Sequence, residues 1–263
     1  LMTREQVMEH YQQIKDFVRG TVAENAPIIP ISAQQNLNVD LVIQAIEETI
    51  PNPPRDTEKP PLLKIARSFD INRPGASPDS LKGGVIGGSL SQGLLHVGDK
   101  IEICPGRLVD YEGRKQWIPI QTKVMTLLAG KQVLQEIGPG GLMGLGTQLD
   151  PIMTKSDALV GQVAGEPGKL PPARNSFTMN MQLLDRVVGV TDESSVEPIH
   201  SSEPLMLNVG TATTVGVVSS AREGGVVQVQ LKRPVCTEKG DRVAVSRRIG
   251  ARWRLIGVGT ITE

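Results

Sequence analysis

Lys59-Pro-Pro-Leu-Leu-Lys-Ile-Ala-Arg-Ser-Phe69 is the point at which the chain changes character. Its prolines close a stiff linker that opens at Pro51-Asn-Pro-Pro-Arg-Asp56. Proline fixes its own φ and pushes the residue before it into extended backbone. From Leu62 onward the pattern is short apolar runs separated by turn residues, which is the signature of strands. The runs are 62–69, 84–86, 100–103, 121–127, 141–145 and 160–164. Pro167-Gly168 and Pro171-Pro172 interrupt them, and a second set follows at 176–183, 204–209, 213–220, 226–231, 242–246 and 254–261. Each set spans on the order of a hundred residues, the size of one domain. An antiparallel barrel suits both, because a sheet closed on itself has no exposed edge. The expected fold is therefore mainly β, with barrels over 60–168 and 172–263.

Composition agrees. The chain has 28 Gly and 19 Pro in 263 residues, and they are spread out as many turns require. Aromatic residues are only 3%, so both cores must be aliphatic. The formal net charge is zero, which excludes a global field for nucleic acid. Locally, Arg222 to Arg254 holds nine Lys or Arg against Glu223, Glu238 and Asp241. Cys104 and Cys236 are far apart in sequence and form no CxxC pair, so the expectation is two buried free thiols, with no metal site and no disulfide framework. No apolar run reaches the roughly 18 residues that span a membrane, and no signal peptide opens the sequence. A soluble, cytoplasmic protein without membrane partners is expected.

The stretch 1–55 differs. Thr3 and Glu5 start a helical pattern in which Val7, Tyr11, Ile14 and Val18 recur, with Gly20 as its stop. Ala26-Pro-Ile-Ile-Pro-Ile-Ser32 reads as one buried strand, and Asn38 caps a second helix. Helix–strand–helix is α/β material, yet a lone strand needs a sheet to join. The expectation is that 1–55 is the C-terminal remnant of a larger α/β domain.

Few motifs carry chemistry. A nucleotide triphosphate site needs a glycine-rich loop ending in Lys-Ser/Thr, so that backbone amides wrap the phosphates. No GxxxxGK[ST] occurs, and Lys82-Gly-Gly-Val-Ile-Gly-Gly88 reads instead as curved strand backbone in a barrel. His10, His96 and His200 are isolated from one another, and no catalytic residue is nominated. Ser32-Ala33-Gln34 lies where backbone amides at a strand end can read a ligand carbonyl.

Taken together, several segments resemble the gamma subunit of archaeal or eukaryotic translation initiation factor 2. They are Ala26–Gln34, Arg67-Ser-Phe-Asp-Ile-Asn-Arg-Pro-Gly75, Leu81–Ser89, Pro139-Gly-Gly-Leu142, Leu159–Val163, Leu183-Leu-Asp-Arg-Val-Val-Gly189 and Arg247-Arg-Ile-Gly-Ala-Arg-Trp-Arg-Leu-Ile-Gly257. The resemblance runs essentially end to end. It implies the elongation factor Tu plan, a P-loop GTPase domain followed by two β-barrels, its domains II and III. It also implies GTP-dependent binding of methionyl initiator tRNA and its delivery to the small ribosomal subunit, in a heterotrimer with alpha and beta subunits. A tRNA-carrying elongation factor of the elongation factor Tu or selenocysteine-specific type is the alternative; the Arg67–Gly75 and Arg247–Gly257 segments speak against it.

The resemblance also assigns residues. Ser32, Ala33 and Gln34 match the family's guanine loop, the Ala33 amide being the guanine contact. The phosphate loop, switch, DxxG and NKxD motifs have no counterpart in this sequence, so neither GTP/GDP with Mg nor GTP hydrolysis is expected of this chain alone. Gly83, Gly84, Met125, Gly140 and Gly141 match the face that holds the aminoacylated tRNA end, although the analogue carries a charged residue near Met125. Those glycines either admit a ligand or serve barrel curvature. Asp70, Asn72, Arg73 and Tyr111 match loops that dock the alpha subunit, or are simply solvated. Arg247, Arg248 and Arg252 either reach phosphates or pair with Glu238 and Asp241. Strand alternation puts Arg252 and Arg254 on one face and Trp253 on the other, in the core.

Overall fold

The alternating burial along Leu62–Phe69 turns Leu63 and Ile65 inward, and the first barrel is built outward from that strand. The computed structural model describes residues 2–185, 187, 195–222 and 224–263, without the side chain of Pro78. Arg186, Val188 and Gly189 of the segment that begins at Leu183, and Glu223 of the basic stretch, lie outside the described residues. The chain divides into two units, Leu1–Pro54 and Arg55–Glu263.

In the larger unit, nine strands among the described residues precede residue 170: β1 (Leu62–Phe69), β2 (Val85–Gln92), β3 (Leu95–His96), β4 (Lys100–Tyr111), β5 (Arg114–Ala129), β6 (Gln132–Leu134), β7 (Glu136–Ile137), β8 (Met143–Thr147) and β9 (Val163–Gly165). Six of them run in the order β4-β9-β1-β2-β8-β5, and β5 returns to β4, so the barrel closes. β6 extends β5, while β3 and β7 form a separate two-stranded ribbon. The second barrel is β10 (Ala173–Leu183), β11 (Pro204–Val209), β12 (Ala212–Arg222), β13 (Val226–Cys236), β14 (Arg242–Ile249) and β15 (Arg252–Ile261). Its closed order is β10-β13-β12-β11-β14-β15. All ladders are antiparallel.

The cores are aliphatic, as the scarcity of aromatics requires. Leu63, Ile65, Ile86, Ile103 and Leu145 fill the first barrel; Met179, Leu205, Leu207, Val229 and Ile256 fill the second. Among the described residues, Phe177 is the one aromatic in either core. The glycine run 83–88 serves close packing. Gly87 and Gly88 sit opposite a register shift between Ile65 and Arg67 on β1. A Cβ on Gly88 would lie 2.0 Å from the Lys64 carbonyl oxygen. Only glycine lets the two backbones meet there.

The smaller unit carries α1 (Arg4–Val18) and α2 (Val39–Thr49). At the start of α1, the Gln6 amide donates to Thr3 Oγ1 at 3.4 Å and the Thr3 amide donates to Gln6 Oε1 at 2.8 Å, a reciprocal cap. The helix stops before Gly20, whose φ is +72°. Asn38 stands before α2 with φ +58°, but its side chain does not cap the helix; its Nδ2 donates to the Pro30 carbonyl at 2.8 Å. Ala26–Ser32 is not the buried strand expected. Its only ladder contact among the described residues is a bridge between Ser32 and Leu37, and Ile31 is exposed. A strand is held by lateral partners, and this segment has no more than that bridge. Neither helix buries a residue. No described helix is long and apolar enough to cross a membrane.

Candidate functional site

Ser32, Ala33 and Gln34 form a tight turn. The Gln35 amide donates to the Ser32 carbonyl at 3.2 Å, and the amide and carbonyl of Leu37 pair with those of Ser32. Ala33 and Gln34 are exposed. The Ala33 amide donates to no acceptor among the described residues, so it is free to meet a carbonyl.

The five candidate residues of the first barrel separate into two groups at opposite ends of β8. Gly83 and Gly84 lie at the Thr147 end. The Gly84 amide donates to the Leu149 carbonyl at 2.9 Å, and its own carbonyl accepts from the Thr147 amide at 3.0 Å and the Thr147 hydroxyl at 2.6 Å. A Cβ on Gly83 would fall 1.9 Å from the Thr147 carbonyl oxygen, and one on Gly84 would fall 2.3 Å from Thr154 Oγ1. Their bare faces are thus packed against their own chain. Met125 lies near the same end, because Val124 pairs with Thr147 and Thr126 with Gly146. Met125 is the extra residue in that bulge and is turned outward, 46% exposed. Gly140 and Gly141 lie in the turn before Met143, roughly 14 Å away at about 3.4 Å per residue. Gly140 has φ +116° and its amide donates to the Leu90 carbonyl at 3.2 Å. Gly141, at φ +60°, has open space where a Cβ would be, and its neighbour Leu142 is 77% exposed.

Residues 70–82 form a pinned loop. Asn72 Nδ2 donates to Asp70 Oδ1 at 2.8 Å and to the Lys82 carbonyl at 2.7 Å, while the Lys82 amide donates to Asn72 Oδ1 at 2.8 Å. One amide side chain therefore holds both ends of the loop, leaving Asp70 and Arg73 exposed. Tyr111 is exposed at the tip of the β4–β5 hairpin, opposite Arg114. The two turn residues, Glu112 and Gly113, both have positive φ, the conformation that suits tight hairpins.

The arginines of the β14–β15 ribbon are not equivalent. Arg247 forms a two-pronged ion pair with Glu203, both side chains 15% exposed. Its guanidinium also donates to the carbonyls of Glu197 and Pro198, each at 2.9 Å. The alternative, a pairing of these arginines with Glu238 and Asp241, does not form among the described residues: Asp241 Oδ2 accepts from the Thr237 hydroxyl at 2.7 Å and the Glu238 amide at 2.9 Å. In the ladder Arg247 faces Arg254, Arg248 faces Trp253 and Ile249 faces Arg252. Residues directly opposite share a face, so Arg247, Arg252 and Arg254 are on one side and Arg248 on the other with Trp253. Arg248 and Arg252 are exposed. Trp253 does not join the core. The register shift between Val245 and Ser246 adds a residue to β15, so Trp253, opposite Arg248, is turned to the other face from Arg247, which alternates with Val243 and Val245 of the core.

Other chemistry-bearing residues fall elsewhere. His96 Nε2 lies 3.0 Å from Glu136 and Nδ1 lies 3.5 Å from Asp99, in an exposed ribbon. Cys104 and Cys236 are both buried and, although distant in sequence, share one small cluster with Val163. Among the described residues, no group of acids, His and Cys could hold a metal ion.

The family model described as "Initiation factor eIF2 gamma, C terminal" matches residues 175–261, which is the second barrel. Over its whole length the chain is similar to proteins named translation initiation factor 2 subunit gamma. It is 58% identical to that of Methanothermobacter thermautotrophicus, covering 99% of this chain and 64% of the relative. It is 59% identical to that of Archaeoglobus fulgidus, covering 99% and 61%, and 59% identical to that of Halorubrum lacusprofundi, covering 100% and 64%. The chain therefore spans somewhat under two thirds of these relatives. Among solved structures, translation elongation factor SelB of Methanococcus maripaludis superposes with TM-scores of 0.72 without nucleotide and 0.73 with a GTP analogue, covering 100% of this chain and 56% of that one. Sequence identity is 20%, so that likeness is one of fold.

Proposed function

Because the chain belongs to the family of translation initiation factor 2 gamma subunits, we propose that it supplies the two partner-holding barrels of such a subunit, which in the intact factor binds GTP and delivers methionyl initiator tRNA to the small ribosomal subunit. One observation carries this reading: identity of 58–59% is sustained over 99–100% of the chain. The selenocysteine-factor alternative offers the same fold at 20% identity, and is the weaker reading. Such a subunit acts in the cytoplasm.

Within this reading the parts have distinct roles. The tRNA end approaches the first barrel where a bulge turns Met125 outward and where Gly141 leaves space beside exposed Leu142. Gly83 and Gly84 support that face from within, since their bare sides are occupied by Thr147 and Thr154. Arg248 and Arg252 are the ribbon arginines available to phosphate, whereas Arg247 is engaged with Glu203. The pinned loop bearing Asp70, Asn72 and Arg73, and the hairpin tip at Tyr111, dock the alpha subunit; the beta subunit and GTP/GDP with Mg belong to the GTP-binding domain of the intact factor.

A pull-down of this chain by the isolated alpha subunit tests the reading most directly. Capture is expected with the native chain, and weaker capture with Tyr111→Ala and Asn72→Ala. A folded chain that the alpha subunit does not retain would refute the assignment. For tRNA, Arg248→Glu with Arg252→Glu should flatten the dependence of binding on salt, by roughly one unit of slope for each arginine reversed.

A further inference from the structure

Where β4 and β5 of the first barrel meet β13 of the second, a cleft of about 870 Å³ opens. Arg107 and Lys115 line it from one barrel, and Lys232 and Arg233 from the other. No Asp or Glu among the described residues lines it. All four cations are exposed, and none of them is in an ion pair among the described residues. In the hairpin Asp110 is opposite Lys115 and shares its face, as Leu108 does with Trp117, while Arg107, opposite Ile118, is on the other face; Asp110 does not itself line the cleft. Trp117, half-buried, forms part of the wall.

We infer that this inter-barrel cleft binds a single-stranded RNA segment, with Arg107, Lys115, Lys232 and Arg233 on its phosphates and Trp117 against a base. Four cations and no described carboxylate along its lining give the cleft a positive potential that favours a negatively charged ligand. Aromatic faces beside cations are the means by which single strands are held without sequence preference. An acidic peptide is the less fitting occupant. β4, β5 and β13 are each bonded on both sides, so the cleft offers no free strand edge for a peptide backbone to join. None of Gly83, Gly84, Met125, Gly140, Gly141, Arg247, Arg248 and Arg252 lines the cleft, so this site is separate from the tRNA face proposed above.

The test uses the whole chain and a labelled oligouridylate, followed by anisotropy and tryptophan fluorescence across a salt series. Binding should quench Trp117, and Trp117→Phe should abolish the quenching, leaving the Trp253 signal unmoved. Arg107→Glu with Lys232→Glu and Arg233→Glu should weaken binding at least tenfold and lower the salt slope by roughly 0.7 per cation removed. The neutral set Arg107→Gln, Lys232→Gln and Arg233→Gln guards against charge-reversal misfolding and should give a smaller loss of the same kind. Arg248→Glu with Arg252→Glu should leave the quenching intact, which separates this site from the ribbon. An unchanged affinity and slope in the folded cleft variants would overturn the proposal. So would polyglutamate quenching Trp117 where oligouridylate does not, which would assign the cleft to an acidic protein segment.

A second observation stands independently. Cys104 belongs to the first barrel and Cys236 to the second, and with Val163 they form one buried cluster. A separate cavity of about 230 Å³, lined by Val163 and Cys236, reaches this cluster. The geometry points to a thiol pair that hydrogen peroxide converts to a disulfide joining the two barrels. The thiolate of one cysteine attacks a peroxide oxygen, the O–O bond breaks, and a sulfenic acid and hydroxide result. The sulfur of the other then attacks the sulfenic sulfur, the S–O bond breaks, and water leaves with the second thiol's proton; two thiols are oxidised as one peroxide is reduced to water. Hydrogen bonding from Cys236 holds the Cys104 thiol below its usual range, while the same contact and burial push Cys236 up.

Hydrogen peroxide on the native chain should yield a Cys104–Cys236 crosslinked peptide by non-reducing mass spectrometry, with dithiothreitol reversing it. Either single variant, Cys104→Ser or Cys236→Ser, should form no crosslink, and one of the two should leave a dimedone-reactive sulfenic acid at its remaining thiol. Oxidation that stops at separate sulfinic acids, or that crosslinks two copies of the chain, would overturn the pairing.

Discussion

A glycine has two different meanings in this chain, and single substitutions separate them. Gly88→Ala should destabilise the first barrel by about 1–3 kcal/mol, because the new methyl meets the Lys64 carbonyl. Gly141→Ala meets nothing and should cost about 1 kcal/mol, the strain of a side chain at positive φ. Thermal melts of the two variants check the order; equal destabilisation would mean that Gly141 is packed after all. Asp157 makes a pH-dependent prediction at the same scale. Its carboxylate accepts from the Ser68 amide at 2.9 Å and from Arg67 at 3.0 Å, and these hydrogen bonds hold its pKa below the ordinary value. A carboxylate with a lowered folded pKa stabilises the fold at neutral pH and loses that contribution as pH falls through the folded value. Asp157→Asn should therefore melt lower than the native chain near pH 7, and the gap should close as pH drops below about 4. A gap constant from pH 7 to strong acid would exclude the carboxylate as its source.

Elements hold where they have partners. β1 keeps the run 62–69 that the sequence marks, and β11 keeps 204–209, because neighbours bond both edges. The segment Ala26–Ser32 has the composition of a strand but no ladder, so its amides should exchange with solvent far faster than those of β1 or β11. Hydrogen-exchange mass spectrometry reads this directly; protection at 28–31 equal to that of β1 would show that a partner exists. The β14–β15 ribbon depends on a different device. Arg247 ties it to Glu203 and to the carbonyls of Glu197 and Pro198. Arg247→Ala strands a mostly buried carboxylate, which costs on the order of 3 kcal/mol. Denaturant unfolding should show that destabilisation, and Arg252→Ala, on the exposed part of the same face, should show almost none.

At the scale of the whole molecule, both barrels are closed, and the proposed contact to nucleotide is the Ser32–Gln34 loop alone. A single neutral hydrogen bond from Ala33 to a guanine carbonyl nets only about 0.5–1.5 kcal/mol. Calorimetry of this chain with GTP and magnesium should show no measurable heat of binding, and micromolar affinity would contradict it. The two barrels, by contrast, are joined across a seam that holds both the basic cleft and the thiol pair. The sequence could display neither. Arg107 and Lys232 come from different barrels, as do the two cysteines, and no local period links residues so far apart.

Periodicity by itself determined the two barrels, because alternation along a strand and closure of its edges are dictated by local pattern and by backbone hydrogen bonding. Composition determined the aliphatic cores, and capping residues the limits of the first helix, at Thr3 and Gly20. Packing decided the rest. Only the folded chain shows that Gly83 and Gly84 press on Thr147 and Thr154, that Arg247 is held by Glu203 while Arg248 and Arg252 are exposed, and that Trp253 stays out of the core. The facing of Trp253 and of Met125 depends on register shifts of one residue, which turn a side chain to the other face while leaving the run of residue types unchanged; the glycine packing and the Arg247 pair depend on contacts between residues far apart in sequence.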